Sequence, residues 1–265
     1  MTMRRTAYEA LLEPDPARKI ALTRAAFELR DAPLTDSAQA YAAEQPGRPP
    51  RPELVHPARV PRRGQGSAAG RAALIHAIAH IEFNAINLAL DAACRFAGLP
   101  DAYYRDWISV AAEEALHHSL LVEHLGTLGY AYGDFSAHNG LWQMAEKTRD
   151  DALGRMGLVP RILEARGLDV TPAIQAKLRE QGETRAADIL DIILRDEVGH
   201  VAIGNRWYAW LCAARGVDPA EEFIALSLRY NAPKLRPPFN RAARLSGGFT
   251  AAELDAWEHA AQTGV

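Results

Sequence analysis

The sequence predicts an all-α protein built on a four-helix bundle, and three observations carry that prediction. Long alanine- and leucine-rich stretches repeat apolar residues three and four apart, the period of an amphipathic helix, and no alternating strand pattern interrupts them. Two Glu-x-x-His tetrads, Glu114 to His117 and Glu197 to His200, lie inside two of those stretches. Each follows a lone glutamate, Glu82 or Glu164, by 32 or 33 residues, so one helix-loop-helix ligand pattern is written twice.

Residues 1–66 are expected as a short helix, with Asp15 as N-cap and Pro16 at its first position, followed by an extended arm. That arm, QPGRPPRPELVHPARVPRRGQG, carries five arginines against one glutamate. It is expected to clamp over an acidic bundle, with phosphate binding as the alternative. A first long helix is expected over about 67–96 and closes at Gly98, with Ile75, Ile78, Ala85, Ile86 and Ala89 on the face of Glu82. A second follows Pro100 to about residue 125, with Trp107, Val110, Ala111 and Leu121 on the face of Glu114 and His117; Gly126 and Gly129 end it.

The segment YAYGDFSAHNG then crosses to a third helix, which is the least regular. Pro160 and Gly167 flank Glu164 and predict a break, after which Thr171 as cap and Pro172 restart the helix. A fourth helix is expected over about 183–214 and ends at Gly216, with Leu190, Ile193, Leu194, Gly204 and Trp207 on the face of Glu197 and His200. Asp218 with Glu221, and Thr250 with Glu253, are capping boxes for two C-terminal helices, and APKLRPPFNRAARLSGG between them reads as loop. The expected organisation is an arm over 1–66, the bundle over 67–216, and C-terminal helices over 217–265 completing the same domain. A chain of 265 residues, 48% apolar, can bury one such core.

A net charge of −3 gives no global sign of nucleic-acid or membrane binding. No run of 18 apolar residues appears, and the MTMRRTAYEA start lacks a secretory apolar region, so a cytoplasmic protein is expected. Cys94 and Cys212 form no C-x-x-C and would lie toward opposite ends of the bundle, so no disulfide is expected.

The tetrads carry the chemistry. Residues three apart on a helix share a face, so each tetrad can offer a carboxylate and an imidazole to one point. Four carboxylates aimed into one core would cost several kcal/mol each in desolvation unless cations sat among them, and two divalent metals cancel the four charges. Oxygen-rich ligation with one imidazole per metal suits iron or manganese better than structural zinc. Two iron ions are the expected cofactor, with a Mn/Fe pair or manganese as alternatives. No catalytic residue beyond the metal ligands is expected.

Composition alone yields roughly 0.6 chance Glu-x-x-His matches in a chain like this one, so context decides. A third copy, Glu53 to His56 in RPELVHP, lies between prolines that forbid regular helix and is a decoy. Spacing alone leaves His118 as a rival to His117, and Glu146, Glu180 or Glu183 as stand-ins for Glu164. His76 and His80 lie off the face of Glu82; packing or surface roles are expected, with a second metal site as the alternative. Arg161 is placed to line the pocket or pair with a ligand carboxylate, while Tyr103, Tyr104, Trp207 and Tyr208 are expected in the core or an interface.

The stretches GRAALIHAIAHIEFNAINLALDAACRF, AAEEALHHSLLVEHL, PRILEARGLDVTP and ILRDEVGHVAIGNRWY, with the LVHPARVPRRG arm, resemble the ferritin-like proteins catalogued as domain of unknown function 455. The resemblance covers roughly residues 10–260. Its wider relatives include rubrerythrins, ferritins, bacterial multicomponent monooxygenases and the ribonucleotide reductase small subunit. It implies a ferritin-like four-helix bundle with two metals, carrying an N-terminal arm and extra C-terminal helices. It further implies Glu82 with His117 as terminal ligands of one metal, Glu164 with His200 of the other, and Glu114 and Glu197 as bridges. Glu113 and Asp196 resemble carboxylates that hydrogen-bond a ligand histidine on the opposing helix and fix its tautomer. The family spacing selects His117 over His118. Where the reductase subunit keeps a radical tyrosine this chain has Leu121, which argues against that role.

The function expected is a non-haem di-iron oxidoreductase, an oxidase or hydroxylase, that activates O2 on an unknown small substrate. It would need an external electron donor, since the chain has no dinucleotide fingerprint and no cysteine-ligated iron motif. The alternative is iron handling: ferroxidase, storage or peroxide scavenging. A third reading is a tRNA-modifying hydroxylase that grips RNA with Arg59, Arg62 and Arg63. A homodimer is compatible with the leading reading.

Overall fold

The computed structural model describes residues 1–61 and 66–263, and these are helical apart from turns and one long arm. Among the described residues no β-strand forms; Leu54 and Ala137 make an isolated parallel bridge. The chain divides into two compact units, Met1–Gln143 and Met144–Val265.

The first unit contains α1 (Met3–Leu12), α2 (Pro16–Glu28), α3 (Ala68–Arg95) and α4 (Asp101–Thr127). The long α3 and α4 pack on each other; α1 adds to α3 and α2 to α4. Local sequence explains the starts: the Asp15 side chain accepts the Arg18 N–H at 2.8 Å ahead of Pro16, and Ser67 accepts that of Gly70 at 3.1 Å. Helix α1 lies where no helix was expected. Its cap, Thr2, accepts from the Arg5 N–H at 3.2 Å.

Two buried cations close helix C-termini in this unit. Arg4 is fully buried and donates from Nε to the Ala93 carbonyl at 2.9 Å and from Nη2 to that of Cys94 at 2.8 Å, serving the last turn of α3. Lys19 does the same for α1, donating to the carbonyls of Ala10 at 2.7 Å and Leu11 at 2.9 Å. Burial, and then the Arg48 charge, push the Lys19 ammonium down to about 7 against the pull of Glu13. The arm is pinned to the same helices. Tyr41 N–H donates to the Cys94 carbonyl at 2.9 Å and Gly47 N–H to that of Leu11 at 2.8 Å. A Cβ on Gly47 would lie 2.2 Å from the Leu12 oxygen, so only glycine fits that crossing.

By length and composition α3 could cross a membrane, but 78% of its most apolar window is buried inside the protein. Its apolar surface is core, shared with α4 and α1.

The chain passes through α5 (Gly140–Lys147) into the second unit, which holds α6 (Ala152–Leu158), α7 (Ala165–Glu180), α8 (Thr184–Arg215), α9 (Pro219–Arg229), α10 (Arg241–Ser246) and α11 (Ala251–Thr263). The break predicted around Glu164 does not occur. Residues Val159–Glu164 form a π-helical turn, with the Ala165 N–H reaching back to the Pro160 carbonyl, and helix continues on both sides. Pro160 lacks an N–H and its ring crowds the preceding turn; a wider π turn accommodates both without ending the helix. Nor do Thr171 and Pro172 start a new helix, because α7 runs straight through them. The carbonyl that Pro172 would have served, that of Leu168, accepts from Asn240 Nδ2 at 3.1 Å instead.

The expected loop APKLRPPFNRAARLSGG contains α10, capped by Asn240, whose Oδ1 accepts the Ala243 N–H at 3.3 Å. It is anchored by Arg244, which pairs with Asp169 at 2.8 Å, both side chains being 1% exposed. Ala165, Leu168, Val201, Phe239, Phe249 and Leu254 form the core beneath it. Gly216 ends α8 at φ +66°, and Thr250 and Glu253 form a reciprocal capping box at 2.8 and 3.2 Å.

Candidate metal centre

Helix α3 presents Glu82, and α4 presents Glu114 and His117 one turn apart on the face that packs inward. Glu82 is 3% exposed; Glu114 and His117 are fully buried. His117 Nδ1 lies 3.1 Å from Glu82 Oε2 and 3.4 Å from Glu114 Oε2. The three residues offer ligand atoms within 4.8 Å of one another. Burial opposes a charge on His117, but hydrogen bonds and charge from Glu114 and Glu82 overcome it and raise the imidazole to about 11. Two carboxylates and an imidazole thus converge in a water-excluded place whose electrostatics call for positive charge. The cluster could hold a metal ion.

Geometry separates the rival histidines. His118 points away from the carboxylates, donating from Nδ1 to the Ala79 carbonyl at 2.9 Å, and burial lowers it to about 4. It packs edge-on to Tyr132, centroids 4.9 Å apart. The Tyr132 hydroxyl meets His80 Nδ1 at 2.9 Å, and His76 Nε2 accepts the Gly133 N–H at 2.9 Å. Burial lowers His80 to about 3 and His76 to about 4. His76 and His80 are therefore neutral packing groups, as expected of residues off the Glu82 face. The Tyr132 contact went unforeseen, since nothing in YAYGD marks which tyrosine turns inward.

In the second unit, α8 carries Glu197 and His200 one turn apart, with His200 Nδ1 3.7 Å from Glu197 Oε2. His200 is fully buried and Glu197 is 9% exposed. Glu164 ends the π-helical turn, half-buried. Of its stand-ins, Glu180 is exposed, while Glu146 and Glu183 are half-buried on other elements. Glu113 is on the exposed side of α4; Asp196 is half-buried and accepts from Arg195 at 2.7 and 3.0 Å.

Arg161 does not serve a ligand carboxylate as one reading had it. Its Nη1 donates to Asn205 Oδ1 at 2.6 Å, its Nη2 to Glu253 Oε1 at 2.5 Å, and the guanidinium lies 4.5 Å from the Tyr208 ring centroid. It ties the capping box of α11 to α8. Tyr103, Tyr104, Trp207, Tyr208 and Leu121 are all buried. The decoy behaves as one: Glu53 and His56 are exposed, and His56 Nδ1 accepts the Ala58 N–H at 3.3 Å over the 3₁₀ turn Pro57–Arg59. Arg59 is exposed, whereas Arg62 and Arg63 lie outside the described residues. Cys94 and Cys212 are free and buried.

The family described as "Protein of unknown function (DUF455)" matches residues 12–255. An uncharacterized protein of Haemophilus influenzae (strain ATCC 51907 / DSM 11121 / KW20 / Rd) is 52% identical over 214 residues, covering 78% of this chain and 74% of the relative. No solved structure matches. The arm and the buried Glu/His cluster fall within the matched span, and the chain belongs to the DUF455 family.

Proposed function

We propose that Glu82, Glu114 and His117 from the first unit and Glu164, Glu197 and His200 from the second together hold two divalent metals in a ferritin-like four-helix bundle. The observation that carries this reading is the buried convergence of Glu82, Glu114 and His117 within 4.8 Å. The second tetrad on α8 supports it, since Glu197 and His200 repeat the i,i+3 pairing of Glu114 and His117. The donor set fits the group. Hard carboxylate oxygens with one imidazole per metal suit iron first, and manganese or a Mn/Fe pair second.

On this reading the protein is an O2-activating oxidoreductase, an oxidase or hydroxylase of a small substrate. Ferrous iron held by these residues would supply the electrons that dioxygen needs, with an external donor to restore them. The chain's own residues position and protect. Glu82 and Glu114 supply negative charge, and His117 gives up the proton that a metal would replace. The Ala- and Ile-rich surface of α3 keeps water away. Free buried thiols at Cys94 and Cys212 are in keeping with a reducing cytoplasm.

Metal analysis of the purified protein tests the centre. Two equivalents of iron or manganese are expected, lost in both Glu114→Ala and Glu197→Ala. Unchanged metal content in either variant would refute the assignment. Oxygen uptake by anaerobically iron-loaded protein tests the reaction, and its absence would leave a metal protein without this activity.

A further inference from the structure

A second site lies in the second unit, on the opposite kind of charge. A cavity of about 250 Å³ opens between the start of α7 and the segment that leads into α10. Arg166, Lys234, Arg236 and Arg244 line it, against a single carboxylate, Asp169. That carboxylate is already claimed. Arg244 binds it through Nε at 2.9 Å and Nη2 at 2.8 Å, and the Asn240 N–H donates to it at 3.0 Å. Arg166 also approaches it, at 3.7 Å, so four cations share one carboxylate and a net excess of three positive charges remains around one small space. Arg166 is held in place by donating to the Arg236 carbonyl at 2.9 Å, which fixes one wall to the other. The side chains of Lys234 and Arg236 make no ion pair among the described residues, and both are exposed.

Two further features shape what would bind. Arg244 is 1% exposed, and its Nη1 has no hydrogen-bond partner among the described residues, although its other two nitrogens are engaged. Its charge is met by Asp169 and by the ring faces of Phe239 and Phe249, whose centroids lie 4.4 and 5.1 Å away, so it forms a fixed floor and leaves an anion to the exposed cations. The remaining walls are apolar, from Ile162, Leu163 and Leu235. At about 30 Å³ for each water-sized group, the space takes roughly eight such groups, a head group with a short body.

We propose that this cleft binds a small phosphate monoester, its dianionic head among Arg166, Lys234 and Arg236 and its apolar body against Ile162, Leu163 and Leu235. A net excess of three positive charges matches a dianion better than a monoanion, and arginine forks match phosphate oxygens in pairs. The inference stands apart from the metal centre, since none of these residues is a proposed metal ligand.

Calorimetric titration of the full-length protein with phenyl phosphate tests it, with benzoate, phenol and inorganic phosphate as comparison probes. Saturable binding of phenyl phosphate is expected, at least tenfold tighter than benzoate or inorganic phosphate and weakening as salt rises, with none for phenol. The double variant Lys234→Glu/Arg236→Glu and, separately, Arg166→Ala should each weaken it at least tenfold, with the urea midpoint of the double variant, whose two side chains are exposed, unchanged from the wild type. No saturable binding to the wild-type protein would overturn the site. So would binding indifferent to both variants. Benzoate binding as tightly as phenyl phosphate would overturn the phosphate assignment, and inorganic phosphate doing so would overturn the apolar part.

Discussion

Gly204 on α8 faces Pro160 so closely that a Cβ on the glycine would lie 2.2 Å from the proline Cβ. The obstacle is a ring fixed in the backbone, which cannot swing aside. In an ordinary exposed helix, Gly→Ala stabilises by about 1 kcal/mol. Here Gly204→Ala is expected to destabilise by about 1–3 kcal/mol through overpacking, read as a lower urea midpoint at unchanged slope. A midpoint equal to or above the wild type would show that the π-helical turn yields freely.

The two adjacent histidines of α4 should separate cleanly. His117 contacts both carboxylates, whereas His118 is bound to the Ala79 carbonyl. His117→Ala is expected to lose bound metal, and His118→Ala to keep it while losing about 1–2 kcal/mol of stability with its buried hydrogen bond. Retention of metal by His117→Ala would move the centre elsewhere.

Acid should weaken the first unit through His80. Burial holds its pKa at about 3 in the fold, against 6.5 ordinarily. Between those values the unfolded chain binds the proton and the native protein does not, so stability is full above pH 6.5 and declines as pH falls through the window. The slope is about 1.4 kcal/mol per pH unit for one such group. His80→Gln should flatten urea midpoints measured from pH 6.5 to 4.5 relative to the wild type; equal slopes would mean that His80 is not neutral in the fold.

At the alkaline end Lys19 acts in the same sense. Its pKa falls to about 7 from 10.5, so above pH 7 the unfolded chain holds a proton that the native protein has released. Stability contributed by this residue therefore rises from pH 7 toward 10. Relative to Lys19→Met, the wild type should gain on the order of 3 kcal/mol over that range. Parallel curves for the two proteins would contradict the assignment.

How much of this was legible depends on range. The caps at Asp15, Ser67, Gly216 and Thr250 are short-range chemistry, and the helix ends fall within a residue or two of where those residues put them. Helical spacing puts an imidazole beside Glu114 but leaves His117 and His118 as rivals, and the family resemblance selects His117. What escaped were long-range rescues. Pro172 reads as a helix start because nothing nearby can serve the Leu168 carbonyl; Asn240, some seventy residues later, does so. Helix α10 reads as loop until Arg244 meets Asp169. Helix α1 is short, with Arg4 and Thr6 among its buried residues, and its anchor, Arg4, satisfies carbonyls about ninety positions away. His117 and His118 lie on either side of Glu114, each within about 60° of it around the helix, so spacing leaves both open and the placement of Ala79 and Glu82 tells them apart.

The π-helical turn at Val159–Glu164 acts as a phase shifter. The wider turn takes up one extra residue, so the sequence positions that face inward step by one residue between α6 and α7, about 100° on an α-helical wheel, while α7 keeps its place. Glu164 sits at the step. A strict α-helical pattern carried through from α6 would therefore name the wrong inward residues in α7. The step is what lets Leu168 and Asp169 be the ones that meet Phe239 and Arg244.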